Sequence, residues 1–193
     1  MTLAGIITKA LSDLDYGTDT HVMEKFTRKF TNFANDAMAD IAESFKPTCI
    51  DTIINNGSPI SFADLSRKCL KIIKISNESN DVSWCLYGTD KFIVLAEEGV
   101  EVKIEYQYVP NDMSSLTDEP DLPSYLHRLI PIYVVGRQRM VGDPYAQNSA
   151  GVHMQQYDNS KNKLLKNKHR GQPSSYKICL LYTSPSPRDP KTS

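Results

Sequence analysis

The chain is poor in the features that mark secreted, membrane-spanning or disulfide-rich proteins. Its 193 residues include four cysteines, and no two of them form a C-x-x-C pair. Scattered cysteines are typical of core residues in a reducing compartment. No apolar run approaches the roughly 18 residues that suggest a membrane span. The opening segment "MTLAGIITKALSDLD" has no basic region, which a signal peptide requires. These absences predict a soluble intracellular globular protein.

The chain also lacks an excess of either charge sign. Its formal net charge is −1 at pH 7, which argues against bulk nucleic-acid or membrane binding as the main activity. One basic cluster is present, "KNKLLKNKHR" at residues 161–170. It has two interpretations: a surface for an acidic partner or a DNA backbone, or a solvated helix end that complements the negative end of the helix dipole. We favour the second interpretation for the cluster alone.

Recognised catalytic and cofactor motifs are absent too. The sequence contains no P-loop, dinucleotide-binding, zinc-protease or nucleophile-elbow motif. Its four histidines lie apart, with no second His or Cys at ligand spacing, so we predict no metal. A Cys–His nucleophile pair stays open, because such partners meet only in the fold. We predict a protein that is not an enzyme and has no catalytic, cofactor-binding or metal-binding residues.

The features that are present begin with two helical patterns. Apolar residues recur at intervals of three and four over residues 3–14, which predicts a short amphipathic helix. A second helix is expected to begin with Thr20 as its cap and to end before Pro47, since the residue before a proline disfavours helix. Its apolar stripe contains three phenylalanines that we interpret as core side chains rather than a ligand-binding row: Phe26, Phe30 and Phe33.

The middle of the chain changes to the period of β-strands. The segment "VEVKIEYQYV", residues 100–109, alternates apolar and polar side chains, which indicates a strand with one wet face. Shorter strand-like segments separated by tight turns precede it from residue 49 onward, and they predict an antiparallel meander. Ser61 opens an S-x-x-D capping box and is expected to begin a short helix or turn.

Helical periodicity returns after a polar link, "NDMSSLTDEPDLP". Ser124 is expected to cap the next helix, and Pro131 is expected to kink it, because proline removes a backbone donor and crowds the preceding turn. A last helix is expected to open with Asp143 as its cap and Pro144 at its first position, where a missing N–H costs nothing. It is expected to run to Lys168.

This order of elements predicts an α+β fold. Helices occupy residues 1–46, an antiparallel β section occupies 49–109, and helices occupy 124–168. We expect the helices from both ends of the chain to form one bundle, with the β section central. In that bundle the three phenylalanines are expected to pack against three residues of the helix after the sheet: Leu129, Ile130 and Tyr133.

The last fifteen residues, "CLLYTSPSPRDPKTS", have no periodicity. A Pro- and Ser-rich stretch is typical of a disordered tail. Back-translation favours a second interpretation, since residues 179–193 resemble the translated adapter of a transposase-based sequencing library. Without that segment, we expect one domain over residues 1–168 and a short tail over 169–178, in a chain of metagenomic origin. We expect its true C-terminus to be missing.

One long stretch resembles a known family. It runs from "YQYVPNDMSSLTDEPDLP" through "GDPYAQ" to "DNSKNKLL". A Tyr-rich strand end, an acidic link with "TD", an "LP" before a helix and a "DP-x-A" at its close are similar to features of tailed-bacteriophage head–tail adaptor proteins, also called connector or neck proteins. The matching residues are Tyr106, Pro110, Thr117, Asp118, Leu122, Pro123, Asp143, Pro144 and Ala146.

The resemblance implies a structural virion protein of the phage neck that is made in the host cytoplasm. Such adaptors form an oligomeric ring, commonly twelve-fold, beneath the portal protein, and they present a surface to the tail or its tube. DNA at most passes through the ring, and no membrane or cofactor is implied. The β section over residues 49–109 is longer than the smallest adaptors carry.

Two segments of opposite charge suggest how such a ring closes. The acidic link is expected to be polar and mobile, and the basic helix end has the opposite sign. Opposite patches on one protomer pair head-to-tail, which is the contact that closes a ring. We predict that the link of one subunit lies near the basic helix end of the next, or near the portal. The residues are Asp118, Glu119, Asp121, Lys161, Lys163, Lys166 and Lys168.

Two alternatives stay open beside the adaptor hypothesis. The first is another tail-completion or neck protein of the virion. The second is a small-ligand-binding or enzymatic accessory protein that uses the β section as a cleft. A ligand that stays bound through purification is expected only for the second alternative.

Overall fold

The computed structural model describes residues 1–78, 80–141 and 144–171. Over these ranges the chain has four α-helices and two antiparallel sheets, which confirms the predicted α+β class. The tail residues 172–178, the expected adapter segment 179–193 and the expected cap Asp143 lie outside the described residues.

The first helix, α1, is Leu3–Asp13, as the apolar spacing predicts. Thr2 caps it, since its hydroxyl accepts a hydrogen bond from the N–H of Gly5 at 3.3 Å. An eleven-residue helix is marginal alone in water, and burial of one face against the core stabilises it. The buried side chains are Leu3, Ile6, Ile7, Ala10 and Leu11.

The second helix, α2, is Thr20–Phe45. Its cap lies one residue earlier than predicted, at Asp19, whose carboxylate accepts a hydrogen bond from the N–H of Val22 at 3.1 Å. A short carboxylate at this position reaches the N–H groups that the first turn leaves unpaired. The helix ends where predicted. Lys46 has φ 47°, in the left-handed region, and Pro47 follows it.

Within the described residues, seven strands follow α2. They are β1 (Thr48–Ile54), β2 (Ile60–Ser61), β3 (Cys69–Asn77), β4 (Asn80–Asp81), β5 (Trp84–Tyr87), β6 (Lys91–Val94) and β7 (Glu101–Tyr108). The predicted capping box is confirmed at the end of β2, where a short 3-10 helix begins. The Ser61 hydroxyl accepts a hydrogen bond from the N–H of Ala63 at 3.2 Å, and the Asp64 carboxylate accepts one from the N–H of Ser61 at 3.3 Å. All the strand pairs are antiparallel.

The strands form two sheets rather than the predicted meander. The larger sheet has the order β1-β7-β3-β4, and the smaller has the order β2-β6-β5. The last strand, β7, therefore lies between β1 and β3. A central position covers β7 on both edges, and its alternation buries one apolar face as predicted. The buried side chains of that face are Val102, Ile104, Tyr106 and Tyr108.

Two helices close the described chain, α3 (Leu129–Met140) and α4 (Pro144–Gly171). Ser124 opens a separate 3-10 turn without a side-chain cap, so the predicted start of this helix is wrong. Pro131 then falls in the first turn of α3. The N–H groups of a first turn have no acceptor within the helix, so proline breaks no hydrogen bond there, and no kink is required.

The buried residues form two separate hydrophobic cores. The first core joins α1, α2, α3 and Tyr157 of α4, and includes the predicted Phe30, Leu129 and Ile130. Phe26, Phe33 and Tyr133 lie half-buried at its margin. The second core lies between the two sheets. The acidic link connects the sheets to the helices, and this arrangement determines where the predicted interface residues lie.

Candidate functional site

The acidic link, within residues 111–123, is joined to α1 and to the β section by hydrogen bonds and an ion pair, and its expected mobility stays a prediction. The carboxylate of Asp118 accepts hydrogen bonds from the backbone N–H groups of Ser114 and Ser115 at 2.8 and 2.7 Å. These bonds hold the pKa of Asp118 below its ordinary value. The Asp118 carbonyl in turn accepts the N–H of Leu3 at 2.8 Å. The link therefore caps the first turn of α1.

The other two acidic residues of the link also have partners within the chain. Asp121 forms an ion pair with Arg67 at 2.8 Å, and its side chain is only 16% exposed. The Arg67 guanidinium also lies over the ring of Tyr108, 4.3 Å from its centroid. Glu119 lies 3.6 Å from the N-terminal amine of Met1. These contacts fasten the link to both the β section and α1.

Lys161 of the basic helix end is paired inside the molecule. Its ammonium donates to the carboxylate of Asp40 in α2 at 2.7 Å, and its side chain is 14% exposed. The Tyr157 hydroxyl donates to the same oxygen of Asp40 at 2.5 Å. Burial and the Asp40 carboxylate raise the pKa of Tyr157 above its ordinary value. The three side chains tie α4 to α2.

The remaining lysines of the basic end differ in their surroundings. The ammonium of Lys168 donates to the carbonyl of Phe45, at the last turn of α2. This contact complements the negative end of the α2 dipole. Lys163 and Lys166 are exposed and belong to none of the ion pairs of the described residues. The structure therefore leaves these two lysines available to a partner, and the intersubunit pairing stays a prediction.

The β section contains a polar network that the sequence did not indicate. Asp51 accepts hydrogen bonds from the hydroxyl of Ser66 at 2.6 Å, from its N–H at 2.7 Å and from the Tyr106 hydroxyl at 2.8 Å. The N–H of Arg67 donates to the same Tyr106 hydroxyl at 3.2 Å. The network fastens the loop before β3 to β1 and β7.

The protonation of this network suits a structural role. Burial acts to raise the pKa of Asp51, but hydrogen bonds from Ser66 and Tyr106 outweigh it and hold the pKa below its ordinary value. Burial and the Asp51 carboxylate raise the pKa of Tyr106 to about 12. Asp51 is therefore an ionised acceptor and Tyr106 a protonated donor at neutral pH. The lowered pKa makes Asp51 a weak base toward the Ser66 hydroxyl, which donates to it at 2.6 Å.

The β section also has an open cleft of about 520 Å³ beside this network. Its lining includes Phe62, Cys69 and Arg67. The Arg67 guanidinium is already engaged by Asp121 and by the Tyr108 ring. Burial raises the pKa of the Cys69 thiol, which keeps it protonated and weakly nucleophilic. This chemistry gives the small-ligand alternative no charged anchor on Arg67 and no activated thiol at Cys69.

Within residues 1–78, 80–141 and 144–171, no three His, Cys, Asp or Glu side chains gather closely enough to hold a metal ion. In the same part of the chain, no helix combines the length and the apolar character needed to cross a membrane.

The sequence did not reveal which cations lie beside Lys163. Lys9 of α1 and Arg128, just before α3, line one cleft with Lys163, although 119 residues separate Lys9 from Arg128. Charge patterns along the chain carry no information about such convergence. The helical period does place Lys9 on the exposed face of α1, which is the only signal available before the fold is known.

No protein-family model matches the chain, and no curated protein matches it closely enough to count as a relative.

Proposed function

We propose that the protein is a structural virion subunit, a tailed-bacteriophage head–tail adaptor that forms a ring between the portal and the tail. The observation that carries the proposal is the order of elements over the resembling stretch. Strand β7 ends at Tyr108, an ordered link runs to Pro123, and α3 and α4 follow. This is the strand, link, helix and helix order that the resemblance implies.

The construction of the link supports the same proposal. The carbonyls of Leu116 and Asp118 accept the N–H groups of Ala4 and Leu3, which have no partner inside α1. The link is therefore fixed to the helices at one end and, through Asp121, to the β section at the other. A subunit that assembles needs such fixed surfaces, because ordering a loose segment on association costs conformational entropy.

We further propose that the helices from both ends of the chain form one bundle, which serves as the rigid body of the ring subunit. One hydrophobic core contains residues of α1, α2 and α3 together with Tyr157 of α4. Polar contacts add to it, since Asp40 of α2 binds both Tyr157 and Lys161 of α4. The bundle brings the basic helix end and the link into one rigid unit.

A non-enzymatic role is part of the proposal. Ser66 and Tyr106 hydrogen-bond to Asp51, and Tyr157 and Lys161 hydrogen-bond to Asp40. Each of these two networks joins separate elements of the fold. Of the predicted basic set, Lys163 and Lys166 are proposed to face a neighbouring subunit or the portal. Lys161 and Lys168 are proposed to act within the subunit instead.

The first test uses the genes beside this one on its contig. Portal and major capsid genes are expected upstream. The portal encoded there is then expressed and mixed with the full chain, and size-exclusion chromatography measures association. The chain alone is expected to elute as a monomer and to co-elute with the portal after mixing.

The portal of an unrelated phage is the control and is expected not to retain the chain. A chain that never associates with its own contig's portal contradicts the proposal. A small molecule that stays bound through purification contradicts it as well and favours the ligand-binding alternative.

A further inference from the structure

A cleft on the helical side of the molecule gathers positive charge. It measures about 320 Å³ and is lined by residues of α1, α3, α4 and the position before α3. Ser160 contributes a hydroxyl to the lining, and its two apolar residues are the half-buried Ile132 and the fully buried Leu129. Three cations complete the lining: Lys9, Arg128 and Lys163. We refer to these six residues as the basic cleft.

None of the three cations has an internal counter-ion among the described residues. The ion pairs there engage Met1, Arg67, Lys74 and Lys161 instead. Three like charges around one concavity repel each other, and the repulsion is stronger where the protein excludes water. An anion in the cleft removes this cost. The basic cleft therefore has the charge and shape of an anion-binding site.

The apolar part of the lining selects among anions. A bare phosphate group uses only the cations and the Ser160 hydroxyl. A polypeptide segment that carries carboxylates beside an apolar side chain also covers the exposed part of Ile132. Burial of that apolar surface adds a favourable contribution of about 25 cal/mol per Å². The lining thus favours an acidic polypeptide segment that includes an apolar residue.

The far end of the larger sheet carries a segment of this kind. It is the connection between β6 and β7 with the first residue of β7, residues 95–101, which we call the acidic tip. Leu95 is 60% exposed. Three exposed carboxylates follow it, and none of them belongs to an ion pair of the described residues: Glu97, Glu98 and Glu101.

The acidic tip is held rigid by Asn55. This side chain is fully buried and donates to the carbonyls of Ala96 and Glu97 at 2.8 and 3.3 Å. Its backbone carbonyl accepts the N–H of Gly99 at 2.7 Å. The Glu98 side chain lies against Gly57, whose φ of +72° is in the left-handed region. A segment ordered in this way loses little conformational entropy on binding.

The acidic tip points away from the helices of its own chain. β1 begins at Thr48, three residues after α2 ends, and Ile54 at its far end pairs with Glu101. A seven-residue strand is about 23 Å long. The tip is therefore distant from the junction between the sheet and the helices. A contact between a tip and a basic cleft joins two different molecules.

We propose that the acidic tip of one subunit seats in the basic cleft of the next. The inference rests on the proposed ring and names the contact that builds it. The two surfaces differ and have opposite charge, so the contact is heterologous and closes into a ring when the rotation allows. It makes Glu97, Glu98 and Glu101 of one subunit the acidic partners of Lys163 in the next. The link carboxylates, each already partnered within the chain, hold the subunit together instead.

A charge-swap experiment on the full chain tests the contact. The cleft variant carries Lys9→Glu, Arg128→Glu and Lys163→Glu. The tip variant carries Glu97→Lys, Glu98→Lys and Glu101→Lys. Each variant alone is expected to reduce ring formation on the portal by about tenfold or more. One chain that carries both sets is expected to regain ring formation, because the charges are then complementary again.

Arg28→Glu is the matched control, since this exposed cation lies on α2 outside the cleft lining. It is expected to assemble like the wild type. Circular dichroism verifies the fold of each variant. Where a reversal variant does not fold, the neutral set Lys9→Gln, Arg128→Gln and Lys163→Gln replaces it. Rings that form equally well with the cleft or tip charges removed overturn the inference while leaving the proposed function intact.

A second measurement needs no portal and no ring. The probe is a labelled synthetic peptide of residues 94–103, "VLAEEGVEVK", titrated against the wild-type full chain at low salt. Binding that the cleft variant loses and Arg28→Glu keeps supports the contact, even if no portal retains the chain. No binding to the wild type overturns it. A short DNA duplex that binds through the cleft while the peptide does not overturns it as well, and identifies the cleft as a phosphate site.

Discussion

Phe30 is the side chain at the centre of the helical core. It is fully buried, and its ring centroid lies 5.2 Å from that of Phe26 and 6.5 Å from that of Phe33. Phe30→Ala is expected to lower the free energy of unfolding by about 3–5 kcal/mol, because it leaves a cavity as well as losing buried surface. Denaturant unfolding measures the change.

Phe33→Ala is the matched control for this prediction. Its ring is only half-buried and lies under the guanidinium of Arg137 at 5.6 Å, so a smaller loss is expected. A loss below about 1 kcal/mol for Phe30→Ala contradicts its burial in the monomer.

Asp51 gives a pH-dependent prediction. Its pKa in the folded protein lies below the ordinary 3.8. The stabilisation from its carboxylate is therefore complete above the unfolded-state pKa, and is lost as the pH falls through the lowered folded-state pKa. Asp51→Asn is expected to cost about 1–3 kcal/mol at neutral pH. It is also expected to flatten the loss of stability in acid.

Thermal unfolding over a series of acidic pH values checks this result. Asp112→Asn, in an exposed loop, is the control and is expected to keep the wild-type pH profile. If Asp51→Asn and the wild type lose stability in parallel below pH 3.8, the carboxylate does not have the lowered pKa described for it.

Side-chain burial could be predicted at this scale, and side-chain partners could not. Helical spacing placed Phe30 in the core, and strand alternation placed Tyr106 on the buried face of β7. Nothing local indicated that Tyr106 donates to Asp51, which is 55 residues away in the chain. Such pairs depend on which strands become neighbours, and that choice is made by the whole sheet.

At the scale of elements, α4 depends on a polar attachment to α2. Asp40 accepts from both Tyr157 and Lys161. Asp40→Ala leaves the Lys161 ammonium, 14% exposed, without its counter-charge. Breaking a fully buried pair costs about 3–5 kcal/mol. Because the Asp40 side chain is 38% exposed, we expect a smaller loss of about 2 kcal/mol.

Hydrogen exchange locates this loss. Amide protection is expected to fall in α4 more than in α1. Asp158→Ala, on the exposed side of α4, is the matched control and is expected to leave protection unchanged. Equal protection of α4 in Asp40→Ala and in the wild type is the contrary result.

The boundaries of elements were predictable where one strong local signal acted alone. Pro47 ended α2, and alternation gave β7 almost residue for residue. The start of α3 was missed because Ser124 has the composition of a cap but opens only a 3-10 turn. The order of the strands was missed because short strands in series suit a meander equally well. Burial of the apolar face of β7 decides the order, and that is a tertiary effect.

At the scale of the whole molecule, the charge distribution makes assembly dependent on salt. The basic cleft and the acidic tip are exposed to solvent, so screening weakens their attraction as the ionic strength rises. We expect association with the portal to slow markedly between low salt and about 1 M salt, where the Debye length is about 3 Å. Stopped-flow light scattering measures the rate. The tip-and-cleft double variant is expected to keep this dependence, and a rate that does not change with salt contradicts it.

The order of periodic segments predicted the fold class. The expectation of a virion role came from the stretch that resembles the adaptor family. The candidate contact could not be predicted in either way, because its two halves come from residues that only the fold brings together. Lys9 lies in α1, Arg128 just before α3 and Lys163 in α4, and the acidic tip acquires its shape from Asn55, which directly follows β1.

Electron cryomicroscopy of the full chain bound to the portal encoded on its own contig is the most direct measurement. The proposed function predicts one closed ring of this protein on the portal, with its subunits related by rotation about the ring axis. Within it, the acidic tip of each subunit is expected to contact Lys9, Arg128 and Lys163 of the next. A portal that carries no density for this chain, at protein concentrations where both partners are folded, contradicts the adaptor function.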